Sequence, residues 1–322
     1  MDPQKVRLLL DYSQQQRDTP VIPSQRGVFK VLEGLVREGK KGFYIIKGLR
    51  GSGKTTILKN LLRMTDGLFT SGDFLRLKGC SLEDVFKVAE YTGKEWVFID
   101  EVHYLDDWKL QLKVMVDRWK GMGVIVTGSS SLLLEKSGDL LRRAQVFELN
   151  TLSFREFLSM KGVDVDVGES QFDKVIGKDD LEKVYYSLVP VWVKYSKVMR
   201  YFDEYINNPL PVLFEIDHPL LKLERLRYVI NAVIEEDIPK LYPQIEARTL
   251  LAVKDILYYL STNEKTSINT ISNHTGISKS TVSLLLELLE KANLISSIPP
   301  KSKHILKGMK KICFQNRSSS CL

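Results

Sequence analysis

No stretch of the sequence approaches the roughly 18 consecutive apolar residues that a membrane-spanning helix needs. Leu8-Leu9-Leu10 is too short for the apolar core of a secretory leader. Cysteine is scarce: Cys80, Cys313 and Cys321 are odd in number and lack metal-ligand spacing, which argues against a disulfide framework and a zinc site. These absences lead to the expectation of a cytoplasmic protein with reduced thiols and no membrane partner. Internal repeats and low-complexity tracts are missing as well. Acids are missing from one region in particular. From Pro299 onward there are five lysines, one arginine and no Asp or Glu. From Thr249 to the end, ten Lys/Arg against four Asp/Glu account for six of the chain's seven net positive charges. Such asymmetry points to an anionic partner for that segment. The remainder is ordinary globular material, 43% hydrophobic and 27% charged, with 322 residues enough for two or three compact units.

The strongest positive signal is Gly48-Leu49-Arg50-Gly51-Ser52-Gly53-Lys54-Thr55-Thr56, which fits G-x-x-x-x-G-K-[ST]. Before it, Phe43 to Lys47 is β-branched and aromatic, as a buried strand would be. After it, Ile57, Leu58, Leu61 and Leu62 recur at helical spacing. Strand, glycine loop and helix together make a phosphate-binding loop, with residues 48–56 as the cradle. Gly51 and Gly53 allow close backbone approach and positive φ. The helix N-terminus turns unpaired N–H groups toward the anion. Lys54 supplies charge for the β/γ-phosphates and Thr55 a hydroxyl for Mg²⁺.

A second motif follows about 45 residues later. Trp96-Val97-Phe98-Ile99-Asp100-Glu101 is an apolar run ending in two carboxylates, suited to a central parallel strand with acids at its C-terminal tip. Asp100 is placed to hold the Mg²⁺ hydration shell. Glu101 is the candidate base for an attacking water. His103 follows closely and is read as structural. Gly123 to Gly128 is a further strand, and Thr127, then Ser129, are candidates to sense a γ-phosphate; the same hydroxyls could equally cap a following helix. Arg142 and Arg143 precede a strand at Gln145 to Leu149, and either could stabilise phosphoryl charge in cis or from a neighbouring subunit. Residues Pro20, Val21, Pro23 and Arg26 are read as a surface loop, with a position near a nucleotide base as the alternative. Asp73 to Leu77 could be a strand, and Leu82 to Val88 a helix.

With these pieces in place, the chain resembles the AAA+ class of P-loop ATPases. It is more closely similar to prokaryotic, especially archaeal, ATPases that join an AAA+ core to a C-terminal winged helix. The resemblance rests on Gly48–Thr56, on Phe98-Ile99-Asp100-Glu101-Val102-His103, on Val126-Thr127-Gly128-Ser129-Ser130, and on Leu149 to Phe157. In the last of these, Thr151 stands where the family has proline. The resemblance implies an α/β core with a parallel sheet of order 5-1-4-3-2, a helical lid, ATP or ADP with Mg²⁺, and Arg143 as the functional arginine. The family's usual glycine-arginine pair falls here on Arg142-Arg143.

The expected division is a nucleotide-binding core over 1–157, a helical lid over 158–248 and a winged helix-turn-helix with a basic tail over 249–322. In the last unit, an apolar helix at Leu250–Leu260 and a short helix at Ile268–His274 are followed by a turn at Thr275-Gly276. A third helix runs from Lys279 to Ala292, capped by Ser278. That is helix-turn-helix spacing. Leu294–Ile298 and Lys310–Phe314 are expected as wing strands, joined by the lysine-rich stretch 299–308, with Lys301, Lys303, Lys307, Lys310 and Lys311 as the expected phosphate contacts on duplex DNA. Ser280 and Thr281 are placed to meet base edges. The expected function is a Mg²⁺-dependent, DNA-associated ATPase that could form a homo-oligomer. The alternative is a slow nucleotide-dependent switch whose winged helix contacts a protein.

Overall fold

The computed structural model describes residues 2–129, 142–163, 196–263, 266–298 and 309–314, together with Val189 and Val193. Five strands form a parallel sheet: β1 (Phe43–Gly48), β2 (Gly67–Ser71), β3 (Trp96–Asp100), β4 (Gly123–Gly128) and β5 (Ala144–Leu149). Their spatial order is β2-β3-β4-β1-β5, which from the opposite edge reads 5-1-4-3-2. Helices cover both faces, so β1, β3 and β4 are apolar at nearly every position rather than alternating with polar residues. The period-2 alternation instead sorts side chains between two cores. Phe43, Ile45, Val97, Ile99, Val124 and Val126 join Leu9, Val85, Phe86 and Leu112 on one face. Tyr44, Ile46, Phe98 and Ile125 join Leu32, Ile57, Leu58 and Leu61 on the other.

The first of these faces carries α1 (Pro3–Asp18), α5 (Leu82–Tyr91) and α6 (Trp108–Arg118); the second carries α2 (Gly27–Arg37) and α3 (Lys54–Met64). The polar run Asp11–Asp18 is the second half of α1. It guards the sheet's β2 edge: Ser13 Oγ accepts the Phe69 N–H at 2.9 Å, and Arg17 donates to the carbonyls of Thr65 and Gly67. A polar helix face is what an edge strand with unpaired backbone groups requires. The strand expected at Asp73–Leu77 is instead α4 (Gly72–Lys78), and the strand lies just before it, as β2. Glycine at φ +63 (Gly79) closes α4, so this stretch carries a helix stop.

Beyond Leu149, Ser153 caps the helix Phe154–Met160 through a capping box with Glu156. The acidic stretch Asp164–Ser170 lies outside the described residues. The segment Leu210–Leu213 packs with Val229 of the helix Pro219–Ala232. That helix runs into a π-turn, Val233–Asp237, and then the short helix Ile238–Leu241. The C-terminal unit comprises helices Ala247–Thr262, Ile268–Thr275 and Lys279–Lys291 with three strands, β6 (Thr266–Ser267), β7 (Ile295–Ile298) and β8 (Met309–Phe314), in the antiparallel order β6-β8-β7. Ser278 accepts the Thr281 N–H as the N-cap, and Gly276 at φ +70 makes the turn. Ile234 and Ile238 share a core with Val253, Ile256, Leu285 and Leu289. Packing is therefore continuous across the boundary expected at 248/249. Among the described residues no helix is long and apolar enough to cross a membrane.

Candidate nucleotide-binding site

The C-terminal ends of β1, β3 and β4 lie side by side, and the motif residues sit there. Gly51 and Gly53 adopt φ +75 and +96, conformations that L side chains rarely take. Lys54 opens α3 with its side chain only 3% exposed. Its ammonium donates to the carbonyls of Gly48 and Leu49 at 3.0 Å each and lies 3.6 Å from Glu101 Oε1. Thr55 Oγ1 donates to Asp100 Oδ2 at 2.6 Å, so the two groups expected on Mg²⁺ already face each other. Ser52 is fully buried and its hydroxyl has no protein partner. A glycine cradle, a buried ammonium, a hydroxyl–carboxylate pair and an orphan hydroxyl fit a nucleoside polyphosphate with its cation.

Asp100 is buried, and burial comes first in raising its pKa, followed by the charge of Glu101; bonds from Thr127 and Thr55 and the charge of Lys54 pull the other way. Glu101 stands in a left-handed backbone conformation, φ 46 and ψ 50. Its carboxylate lies between Lys54 and His103, with Oε2 3.2 Å from His103 Nδ1. The His103 side chain is 1% exposed. Burial first, then the charge of Lys240, lowers its pKa to about 3, so the imidazole is neutral.

Two expected roles, those of Thr127 and Arg143, are at odds with the geometry. Thr127 does not face a γ-phosphate. It is fully buried, its hydroxyl donates to Asp100 Oδ1, and it accepts the Glu101 N–H at 2.9 Å. With its one proton committed to Asp100, its part is to position the two acids. Ser129, the second choice, is buried with an unpartnered hydroxyl. Arg143 does not act on its own chain's site. It precedes Ala144, which pairs with Phe43 at the N-terminal edge of the sheet. The phosphate loop lies at the other edge, a strand's length of roughly 20 Å away. Its guanidinium donates to Asp117 Oδ1 at 2.7 Å. Arg50, though within the phosphate loop, sends its side chain away from the cradle, to Asp237 and Glu236 at 2.8 Å each. Burial works to lower its pKa, and the bonds to Asp237 and then Glu236 more than reverse that.

Residues far from the two motifs also reach the site. Pro20–Arg26 line a cavity of about 540 Å³ together with Gly51, Lys54, Thr55, Glu101, Pro211, Val212 and Glu215. The stretch is thus a wall of the site, which favours its alternative reading, a position near a bound nucleotide, over a plain surface loop. Arg26 is anchored there, donating to the Asn150 carbonyl and lying 3.4 Å from Glu156. Pro211 and Val212 lie over the cradle: a Cβ on Gly51 would meet Val212 Cγ1 at 2.9 Å. The only hint is a second proline pair, Pro209 and Pro211, more than 150 residues from the loop it covers.

Two parts of the chain match known families. Residues 40–158 match an AAA domain family. The five-stranded sheet and the phosphate loop fall within the matched residues. Residues 209–316 match a second family, described as a domain of unknown function. Two uncharacterised proteins of Methanocaldococcus jannaschii are similar to the chain. One is 29% identical over 82% of this chain and 58% of its own length, the other 25% identical over 78% and 55%. The chain therefore spans little more than half of these relatives. A Walker-type ATPase of Pyrococcus abyssi superposes with a TM-score of 0.48 at 16% identity, covering 95% of this chain and 98% of that one.

Proposed function

We propose that the chain is a Mg²⁺-dependent, cytoplasmic ATPase whose C-terminal unit is a winged helix bound to duplex DNA. One observation carries the enzymatic part: Lys54, Thr55, Asp100 and Glu101 converge within hydrogen-bond or ion-pair reach at one end of the sheet. On this reading, residues 48–56 hold the phosphates through backbone N–H groups and Lys54. Thr55 and Asp100 hold Mg²⁺, which neutralises phosphate charge when bound. Glu101 orients the attacking water and takes its proton. Ser129 replaces Thr127 as the hydroxyl free to meet a terminal phosphate. Arg143 is left to complete the site of a neighbouring copy, in a homo-oligomer.

The DNA part rests on the charge of residues 249–322 and on the turn between helices Ile268–Thr275 and Lys279–Lys291. Lys279, Ser280 and Ser283 lie on the exposed side of the second helix. The hydroxyls of Ser280 and Thr281 both lie against the Ser278 cap, 2.9 and 2.8 Å from its Oγ, and Ser280 is the more exposed of the two. The lysine-rich stretch 299–308 lies outside the described residues. A second reading, a slow switch with a protein partner, is favoured by one contact: the phosphate loop's Leu49 packs against Val233 and Ala292.

The test is steady-state ATP hydrolysis with and without duplex DNA, beside Glu101→Gln. Hydrolysis should fall by about 10²–10⁴-fold in the variant while ATP still binds. Stimulation by DNA supports the first reading. Very slow turnover with retained ADP, indifferent to DNA, supports the second. Hydrolysis by Glu101→Gln at the parent rate would remove Glu101 as the base.

A further inference from the structure

His103 poses a problem that the nucleotide-binding groups do not explain. Its side chain is 1% exposed, yet neither ring nitrogen makes a hydrogen bond. Buried polar groups without partners are uncommon and costly, and a functional reason is expected where one persists. Nδ1 is 3.2 Å from Glu101 Oε2 but not aligned for a bond. A small rotation of either side chain would make one. Glu101 itself is held by its left-handed backbone, by its N–H bond to Thr127 and by the 3-10 turn Val102–Tyr104, whose Tyr104 N–H donates to the Glu101 carbonyl.

We infer that His103 is a positioning residue for Glu101, donating its Nδ1–H to the carboxylate once a bound nucleotide draws Lys54 away. The inference rests on the ATPase reading and adds a role for a side chain that this reading leaves idle. In the structure described here, Lys54 is shared between two loop carbonyls and Glu101. Its charge belongs on the β/γ-phosphates when these are present. Glu101 then loses its cation and keeps one donor within reach. A neutral imidazole is the suitable donor: it fixes the carboxylate in orientation without the full charge that would quench its basicity.

His103 is also the point where the C-terminal half meets the base. Its ring stacks on Tyr104 with centroids 4.7 Å apart, and Lys240 Nζ lies 4.4 Å from the centre of the Tyr104 ring. The charged groups around the imidazole are Glu101, 3.2 Å from Nδ1, Lys54 and Arg50 from the phosphate-loop segment, and Lys240 and Asp237 from the far unit. Movement of the segment 237–240 would reach Glu101 through this stack.

The experiment compares His103→Phe with His103→Asn, following kcat, KM, ATP affinity by calorimetry and thermal unfolding, with Glu101→Gln alongside. Phe keeps the ring stacked on Tyr104 but has no donor. Asn loses the stack but carries an amide N–H near the position of Nδ1. Positioning by the donor predicts a kcat about 10–10²-fold lower for Phe, with KM and ATP affinity within twofold of the parent. It predicts recovery to within about threefold for Asn. Parental turnover by His103→Phe would overturn the inference. So would equal losses in Phe and Asn variants that bind ATP and unfold like the parent. A parent with no hydrolysis above Glu101→Gln would instead overturn the ATPase reading itself.

Discussion

At the scale of single residues, the site shows how one buried ammonium can serve two states. Lys54 is satisfied by the Gly48 and Leu49 carbonyls and by Glu101. A nucleotide must offer more than these to draw it out, and charge-assisted bonds to phosphate do so. Lys54→Ala should weaken ATP binding by on the order of 2–3 kcal/mol, the scale of one lost charge-assisted contact. Calorimetry checks this, and unchanged affinity would remove Lys54 from the phosphate site. His103 supplies a pH signature. Its folded pKa of about 3 lies below the ordinary histidine value. The stability tied to its neutral form is complete above about pH 6.5 and is lost as pH falls toward 3. Between pH 6.5 and 5 the loss from this one group is up to about 2 kcal/mol. Denaturant unfolding at pH 7 and pH 5 should show that share of the loss in the parent and not in His103→Phe. Equal losses in both proteins would mean the imidazole is not held neutral.

Among the elements, the π-turn Val233–Asp237 is the one most directly joined to the nucleotide loop. A helix that widens for one turn turns its side chains off the regular spacing, and such turns collect at functional sites. Here the widened turn directs Val233 against Leu49, and Glu236 and Asp237 against Arg50. The two acids are unequal. Asp237 is 3% exposed and Glu236 45%. Asp237→Ala leaves a largely buried guanidinium short of its main partner and should cost about 3 kcal/mol of stability. Glu236→Ala breaks a screened contact and should cost under about 1 kcal/mol. Urea unfolding of the two variants checks the contrast. Equal costs would mean that burial does not set the strength of this clamp. A further bridge runs beside it, from Asn293 to Glu148, which also pairs with Lys47 of β1 at 2.9 Å.

For the whole molecule, charge is unevenly divided along the chain. Six of seven net positive charges lie in the final 74 residues, far along the chain from the phosphate loop. If those charges meet DNA phosphates, affinity must fall steeply with salt through counterion release. Changing Lys301, Lys303 and Lys307 to Ala should flatten the slope of log affinity against log salt by roughly one unit per lost contact, with little change in sequence preference. A salt titration of duplex binding by the whole chain checks this. Equal slopes for parent and variant would take the wing out of the interface. No binding at low salt would leave the C-terminal unit as a protein-contact module.

Much of this protein was legible from its sequence because the deciding physics is local. The phosphate loop needs a strand, glycines free to take positive φ and a helix N-terminus, all within about 20 residues, and all three were visible around Gly48–Thr56. The apolar run ending in Asp100-Glu101 and the Ser278 cap before Lys279 are likewise short-range patterns. The polar half of α1 was not legible as a helix, because what holds it is the β2 edge it covers, which no local pattern encodes. Only the tertiary structure could decide what the remaining side chains do. Parallel register brings the end of β4 beside the end of β3, so Thr127 is used up by the two acids. The same register puts Arg143 at the far edge of the sheet. Arg50 could not be assigned from its motif, because its partners lie 186 and 187 residues away. Contacts at such separations depend on how packed units dock, and docking is set by burial and charge pairing across the whole fold rather than by the period of any one segment.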